Sequence, residues 1–502
     1  MNNNTKYNDL LDKLTDYCKD KEFVPMHMPG GKRNSEFLDG ALSMPNPYEI
    51  DITEIDGFDN LHNSEALLLD ARKRAARLFG ADETFFLING STAGILTAIC
   101  AATKKKDTIL VARNCHVSVY NAIMLNELNP VYIVPQCDSK TGIYEGIRLE
   151  DIKAHFEKAH FEKAHCDETH CEGEDTDIKC VVITSPTYEG YVSEVRAIAD
   201  YLHSLGIVLI VDEAHGAHLN FSEAFPESAV KAGADIVINS IHKTLPSLTQ
   251  TALLHVNKGL VDVSRVIRYW NIFQSTSPSY ILIAGIDRCL SILDKHAHEI
   301  FPEYISNVLR LRTHLSSELK NIKLLETDDI SKIILVCEDG NRLFKLLLER
   351  YNIQLEMASF KYVIAMTSVA DKPSYYERLE RALTELDREF KKEAGRELDR
   401  EFEEEAEREG DFSLNKKFSV ACAPAEAYAR GDEEGFVEID VNSCDICGRI
   451  SLACVLLYPP GMPVVNAGEI ITEEIVDVIK KAKRAGLEVI GLTGEGKIRC
   501  LR

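Results

Sequence analysis

The chain has 502 residues, 45% hydrophobic and 27% charged, which exceeds one ordinary core and reads as two or three globular domains. Its 80 acidic and 57 basic residues give a formal charge of −23, which argues against a nonspecific nucleic-acid binder and favours attraction of small cations. No apolar run reaches the roughly 18–20 residues of a membrane span, the N-terminus MNNNTKYNDLLDKLTDYCKD is too polar for a signal peptide, and the 14 cysteines are scattered; a cytoplasmic protein with free thiols is expected.

Residues 1–60 read as an N-terminal arm that opens on a short amphipathic helix and breaks at VPMHMPGGKRN. A large domain is expected over 61–290. It starts with the amphipathic helix EALLLDARKRAARLFG, ended by glycine. The runs TFFLI, TILVA, PVYIVP, CVVITS, IVLIVD and DIVINS read as buried strands separated by helical text, the pattern of a mostly parallel sheet covered on both faces. Within this domain AHFEKAHFEKAHCDETHCEGEDT carries His155, His160, His165, Cys166, His170 and Cys171. A zinc site is one reading. The spacings match no standard finger, so an exposed local duplication is preferred and no metal is expected. A small α/β domain follows over 291–390, and a charged linker, 391–414, lies in a stretch rich in i,i+4 opposite charges. A C-terminal domain is expected over 415–502, where Cys444 and Cys447 form a lone CxxC that reads as two chance thiols.

The chemistry gathers at the ends of the strands. INGSTAGILTAI places Gly90, Ser91 and Thr92 where a strand turns into a helix, offering hydroxyls and backbone N–H groups to an anion such as phosphate; ordinary N-capping is the competing reading. His116 follows the next strand, and its reading is open between an imidazole lying on an aromatic ligand and a helix cap. IVLIVD delivers Asp212 to a carboxyl strand end, the place where open α/β sheets bind ligands. A carboxylate buried there needs a cation beside it. No GxxxxGK[ST] occurs, which sets aside nucleotide hydrolysis. The segment NSIHKTLPSLTQ then places Ser240, His242 and Lys243 after another strand. A lysine whose amine is desolvated becomes a nucleophile toward carbonyl carbon. Phosphate-binding turn, histidine, strand-end aspartate and lysine together are the parts that hold pyridoxal 5′-phosphate (PLP).

With these parts in order, the chain resembles the PLP-dependent Orn/Lys/Arg decarboxylases of the aspartate-aminotransferase fold, and most closely the short bacterial arginine and lysine decarboxylases. HMPGGK is similar to that family's HxPGHK, with Gly31 in place of histidine; DGFDNLH, VDEAHGAH, SIHKTLPSLTQ, STSPSY and GRISLACVLLYPPGMPVVNAGEIIT also match. The resemblance implies fold type I, with a mostly parallel central sheet, a small α/β domain and a C-terminal α+β domain. It implies that Lys243 anchors the cofactor aldehyde, Asp212 pairs with the ring nitrogen and His116 stacks on the ring. Ser91, Thr92, Ser240 and His242 would hold the phosphate. Ser275, Thr276 and Ser277 would reach the phosphate of a second subunit in a homodimer or larger assembly with shared sites. Glu469 would meet the distal cation of the substrate. The activity implied is α-decarboxylation of a basic amino acid, arginine to agmatine first, with lysine to cadaverine and ornithine to putrescine as alternatives. Transamination, aldol cleavage and a non-enzymatic regulatory role are the rivals.

Overall fold

Seven strands form the central sheet: β2 (Glu83–Leu87), β3 (Thr108–Ala112), β4 (Asn129–Ile133), β5 (Ile178–Thr184), β6 (Val208–Asp212), β7 (Ile236–Asn239) and β8 (Ala252–Val256), after a short β1 (Val24–Met26) in the arm. This architecture comes from a computed structural model, which describes residues 9–138, 140–165, 178–394, 418–458, 462–484 and 488–502. The order across the sheet is β2-β8-β7-β6-β5-β3-β4, and only β8 runs against the others. All six expected strands are present. The seventh, ALLHV, contains a histidine and lacks the β-branched run that marks its neighbours. That histidine, His255, is buried, stacked on Phe79 at 4.6 Å and hydrogen-bonded to Thr84.

Strands β3, β6, β7 and β8 are buried along their whole length, as a sheet covered on both faces requires. The carboxyl ends of β2, β3, β5, β6 and β7 therefore emerge along one edge. Gly90, at φ +75°, makes the turn from β2 into the helix Gly90–Ala102, a conformation that L side chains rarely adopt.

A helix of 39 residues, Tyr280–Glu318, links this unit to the next and runs through the expected boundary at 290. Its first half is held by ion pairs of Asp287 with Arg74 and Asp294 with Arg77; its second half sends Arg312 to Glu326. The second unit is an antiparallel sheet in the order β12 (Met357–Ala358), β13 (Tyr362–Met366), β10 (Lys332–Val336), β9 (Lys323–Leu325), with helices Gly340–Tyr351 and Pro373–Ala394. The third has its own apolar core around Val455, Val465, Ile471 and Ile479, with strands β14 (Phe436–Asp440) to β18 (Lys497–Leu501) and helices Pro424–Glu434 and Glu473–Arg484.

The arm is fixed to two of these units. β1 pairs in parallel with β11 (Ile353–Leu355). Lys32 is wholly buried and donates to the carbonyls of Pro25 (3.2 Å), His27 (2.8 Å) and Met366 (2.7 Å). Gly30 donates its N–H to the His242 carbonyl at 2.7 Å, and a Cβ on Gly30 would sit 2.5 Å from the Leu245 carbonyl oxygen. A Cβ on Gly31 would meet nothing within 4 Å, so the histidine expected there leaves open space.

Among the described residues no helix is long and apolar enough to cross a membrane, and no group of three or more His, Cys, Asp or Glu side chains is arranged to hold a metal. Of the duplicated segment, Cys166, His170 and Cys171 lie outside the described residues, as does most of the charged linker.

Candidate active site

A cavity of about 340 Å³ opens at the carboxyl edge of the central sheet. Ser91, Thr92, His116, Asp212, Ser240, His242 and Lys243 all line it, so seven expected residues from four strand ends meet in one space. Each reaches it for a local reason. Ser91 and Thr92 occupy the first turn of Gly90–Ala102, where the initial backbone N–H groups have no partner within the helix. Ser240 meets Ser91, hydroxyl to hydroxyl, across that turn. His116 is both a cap and a cavity residue: it precedes the helix Val117–Leu125, and its Nδ1 accepts from the Ser118 N–H at 3.2 Å. Nδ1 is thereby committed as an acceptor, which leaves Nε2 as the protonated nitrogen.

Lys243 stands in the one-turn helix Ile241–Thr244. Its Nζ lies 2.9 Å from Nε2 of His215, a residue of the VDEAHGAH segment to which sequence reasoning assigns no role. An ammonium only donates, so His215 accepts through Nε2 and carries its proton on Nδ1, a buried atom with no hydrogen-bond partner. Burial lowers the Lys243 pKa, with Asp212 opposing, and it lowers His215 well below the ordinary histidine value, with Lys243 adding to the effect. Asp212 is buried at the end of β6 and accepts from the Ala214 N–H at 3.1 Å. Its charge partly offsets the lowering of His116 caused by burial. His242 donates Nδ1–H to the Thr251 carbonyl at 2.8 Å, so its Nε2 is free to meet an anion only when protonated. Burial, the largest effect on this ring, opposes that protonation, and a bound anion would favour it.

Two expectations are placed elsewhere. Glu469 does not line the cavity. It is buried in the C-terminal unit with its Oε2 2.9 Å from the Arg113 guanidinium, and no part of it faces the space beside Lys243. NAGE is held as a turn whose own Asn466 N–H binds the same Oε2 at 2.9 Å, a contact that a sequence motif cannot reveal. Ser275, Thr276 and Ser277 form an exposed loop after the helix Val263–Phe273, also outside the cavity of their own chain.

The carboxylates the cavity does present, beside Asp212, are Glu356 and Glu189. Glu356 accepts from the Tyr188 hydroxyl and from the Met28 N–H, both at 2.8 Å. Glu189 is buried, which pushes its carboxyl up, and accepts from the Tyr362 hydroxyl at 3.0 Å. Asn114, Thr187 and Tyr188 add to the polar lining. Glu356 comes from the second unit and Tyr188 from the turn after β5; nothing in the local sequence of either points to the other.

Two family models match: Orn/Lys/Arg decarboxylase, major domain, over residues 9–346, and Orn/Lys/Arg decarboxylase, C-terminal domain, over residues 410–495. Similar proteins include an arginine decarboxylase of Bacillus anthracis, 31% identical over 96% of this chain and 94% of the relative. An arginine decarboxylase of Bacillus subtilis is 30% identical over 93% of this chain and 92% of the relative. The solved constitutive lysine decarboxylase of Escherichia coli shares the fold, with a TM-score of 0.74, 19% identity, and coverage of 98% of this chain and 81% of that one. Cavity, strand-end lysine and both matched regions converge: the chain belongs to the Orn/Lys/Arg decarboxylase family.

Proposed function

We propose that the protein removes the α-carboxylate of a basic amino acid, arginine by preference, to give agmatine and CO₂, with PLP as cofactor. The observation that carries this reading is the buried amine of Lys243, which shares one cavity with Asp212, His116 and a hydroxyl-lined helix start. The residues present fit the cofactor. Asn114 Oδ1 and His215 Nδ1 are buried without partners, and the Ser91 and Ser240 hydroxyls face each other at the N-terminal turn of Gly90–Ala102. PLP supplies an electrophilic aldehyde and a cationic ring that accepts the electron pair left when the bond from Cα to the carboxylate breaks.

The chain's own residues do the rest. Burial disfavours the Lys243 ammonium, and neutral His215 accepts its hydrogen bond and orients Nζ, so that loss of the proton leaves the free amine that attacks a carbonyl carbon. Asp212 would pair with the ring nitrogen of the cofactor and keep it protonated. His116 would offer its imidazole face to the ring. Ser91, Thr92, Ser240 and His242 would hold the phosphate. Lys243 or His242 returns a proton to Cα. Glu356, rather than Glu469, receives the distal guanidinium, since its carboxylate lies in the cavity and is already oriented by Tyr188 and Met28. Ser275, Thr276 and Ser277, exposed and away from their own cavity, are assigned to the phosphate of a second copy of the chain.

The test is CO₂ release by the purified protein with PLP on arginine, lysine and ornithine. Turnover of at least one without keto-acid formation is expected. Keto-acid formation, or no turnover of any of the three, overturns the reading.

A further inference from the structure

Arg113 lies immediately after β3, and its side chain points away from the cavity into the C-terminal unit. The guanidinium is buried against the rings of Phe418 (4.0 Å), Tyr132 (4.9 Å) and Tyr120 (5.4 Å). It donates to the Tyr120 hydroxyl at 3.3 Å, which itself donates back to the Arg113 carbonyl at 2.8 Å, and to Glu469 Oε2 at 2.9 Å. Glu469 is held in turn by the Asn466 N–H and by a backbone bridge to Val420. Phe418, Val420, Asn466 and Glu469 thus converge on one arginine of the large domain.

As an adhesive, the pair is inefficient. It makes one contact where a guanidinium and a carboxylate can make two, and Arg113 Nε and Glu469 Oε1 are both buried without hydrogen-bond partners. Buried ion pairs of this kind are often matched or surpassed in stability by apolar side chains of similar volume. What the pair does supply is orientation. The residues after Arg113 are the turn to the next helix, in which Asn114 and His116 both line the cavity, and Tyr120 on that helix ties back to Arg113.

We propose that Glu469 is a positioning residue: through Arg113 it fixes the Arg113–His116 turn so that Asn114 and His116 face the cavity, and the C-terminal domain takes part in the reaction without touching substrate. This rests on the reading of the cavity as a PLP site.

Two variants test it, Glu469→Gln and the double variant Arg113→Met with Glu469→Leu. Each is assayed for kcat and KM, for the circular dichroism of bound PLP, for Tm, and, in cofactor-free protein, for amide hydrogen exchange across residues 113–120. Glu469→Gln is expected to lower kcat at least about tenfold with KM changed less than about threefold, the pattern of a misplaced catalytic group. It also speeds exchange across 113–120 and reduces the dichroism of the cofactor. The double variant recovers Tm, because no charge is left buried, but keeps the low kcat and the fast exchange. Wild-type kcat and exchange in Glu469→Gln, or recovery of kcat together with Tm in the double variant, overturns the proposal. If the wild type neither binds PLP nor releases CO₂, the functional reading fails, and the exchange data alone still decide whether Glu469 orders the turn.

Discussion

Replacing Glu356 by glutamine removes one charge and almost no volume. The amide oxygen can still accept from the Met28 N–H, and the amide nitrogen can donate to a Tyr188 hydroxyl that turns to accept, so both 2.8 Å contacts survive in altered polarity. The fold should tolerate the change, with Tm nearly constant. What is lost is the charge-assisted bond to the distal guanidinium, worth about 1.5–3 kcal/mol. At about 1.36 kcal/mol per decade this lowers kcat/KM for arginine by about 10- to 150-fold. Norleucine, which has no distal cation, is the control: its slow reaction should change little. Steady-state kinetics on both amino acids measure the effect. Arginine kcat/KM within threefold of wild type would refute the assignment, and so would an equal loss on both substrates, which would mean that the substitution disturbs the cavity generally.

Lys243→Ala should abolish turnover and the visible absorbance of bound cofactor, read from spectra after PLP addition and dialysis. Asp212→Ala should retain PLP yet lose kcat by about 100-fold or more, an electrostatic effect on the reacting ring; near-normal turnover would remove that role. Gly30→Ala drives a Cβ to 2.5 Å from backbone, so it should lower stability by about 1–3 kcal/mol in denaturant titration and weaken the Gly30–His242 bond. Glu213 is pushed up to about 8 by burial, so the folded chain keeps a proton that the unfolded chain sheds near pH 4.5. Its contribution is fully present below pH 4.5 and is lost as pH rises to about 8, by up to about 1.4 kcal/mol per pH unit. Glu213→Gln should flatten that decline in Tm between pH 5 and 8.

The strand ends were legible because a strand covered on both faces reads as a short unbroken run rich in β-branched residues: IVLIVD is too short for a helix, and its last residue falls at the end of the strand. Asp212, Lys243 and the Ser91–Thr92 turn come from that logic. His116 illustrates its limit, since capping and site-lining are alternatives on the sequence and the residue does both. His215 lies in a recognisable segment, but its contact with Lys243 depends on how two loops pack. Glu356 and Glu469 show the same limit from opposite sides. One carboxylate enters the cavity from the second unit and the other is drawn to an arginine outside it, and partners this far apart in sequence are set by tertiary packing.

The arm has a mechanical consequence. It behaves as a tie rod, fastened to the second unit through β11 and the Met366 carbonyl and to the turn that carries Lys243 through His242. A clamshell motion that swung the second unit outward would either strip carbonyls from the Lys32 ammonium or break the bond to His242. Asp371, 4.0 Å from the Lys32 ammonium, would remain as its counter-charge, but each hydrogen bond lost from a charged donor costs about 1.5–3 kcal/mol, so that motion is opposed. The arm thus resists a swing of the second unit away from Lys243 and ties the segment that carries Met28, which lines the cavity, to the turn that carries the lysine.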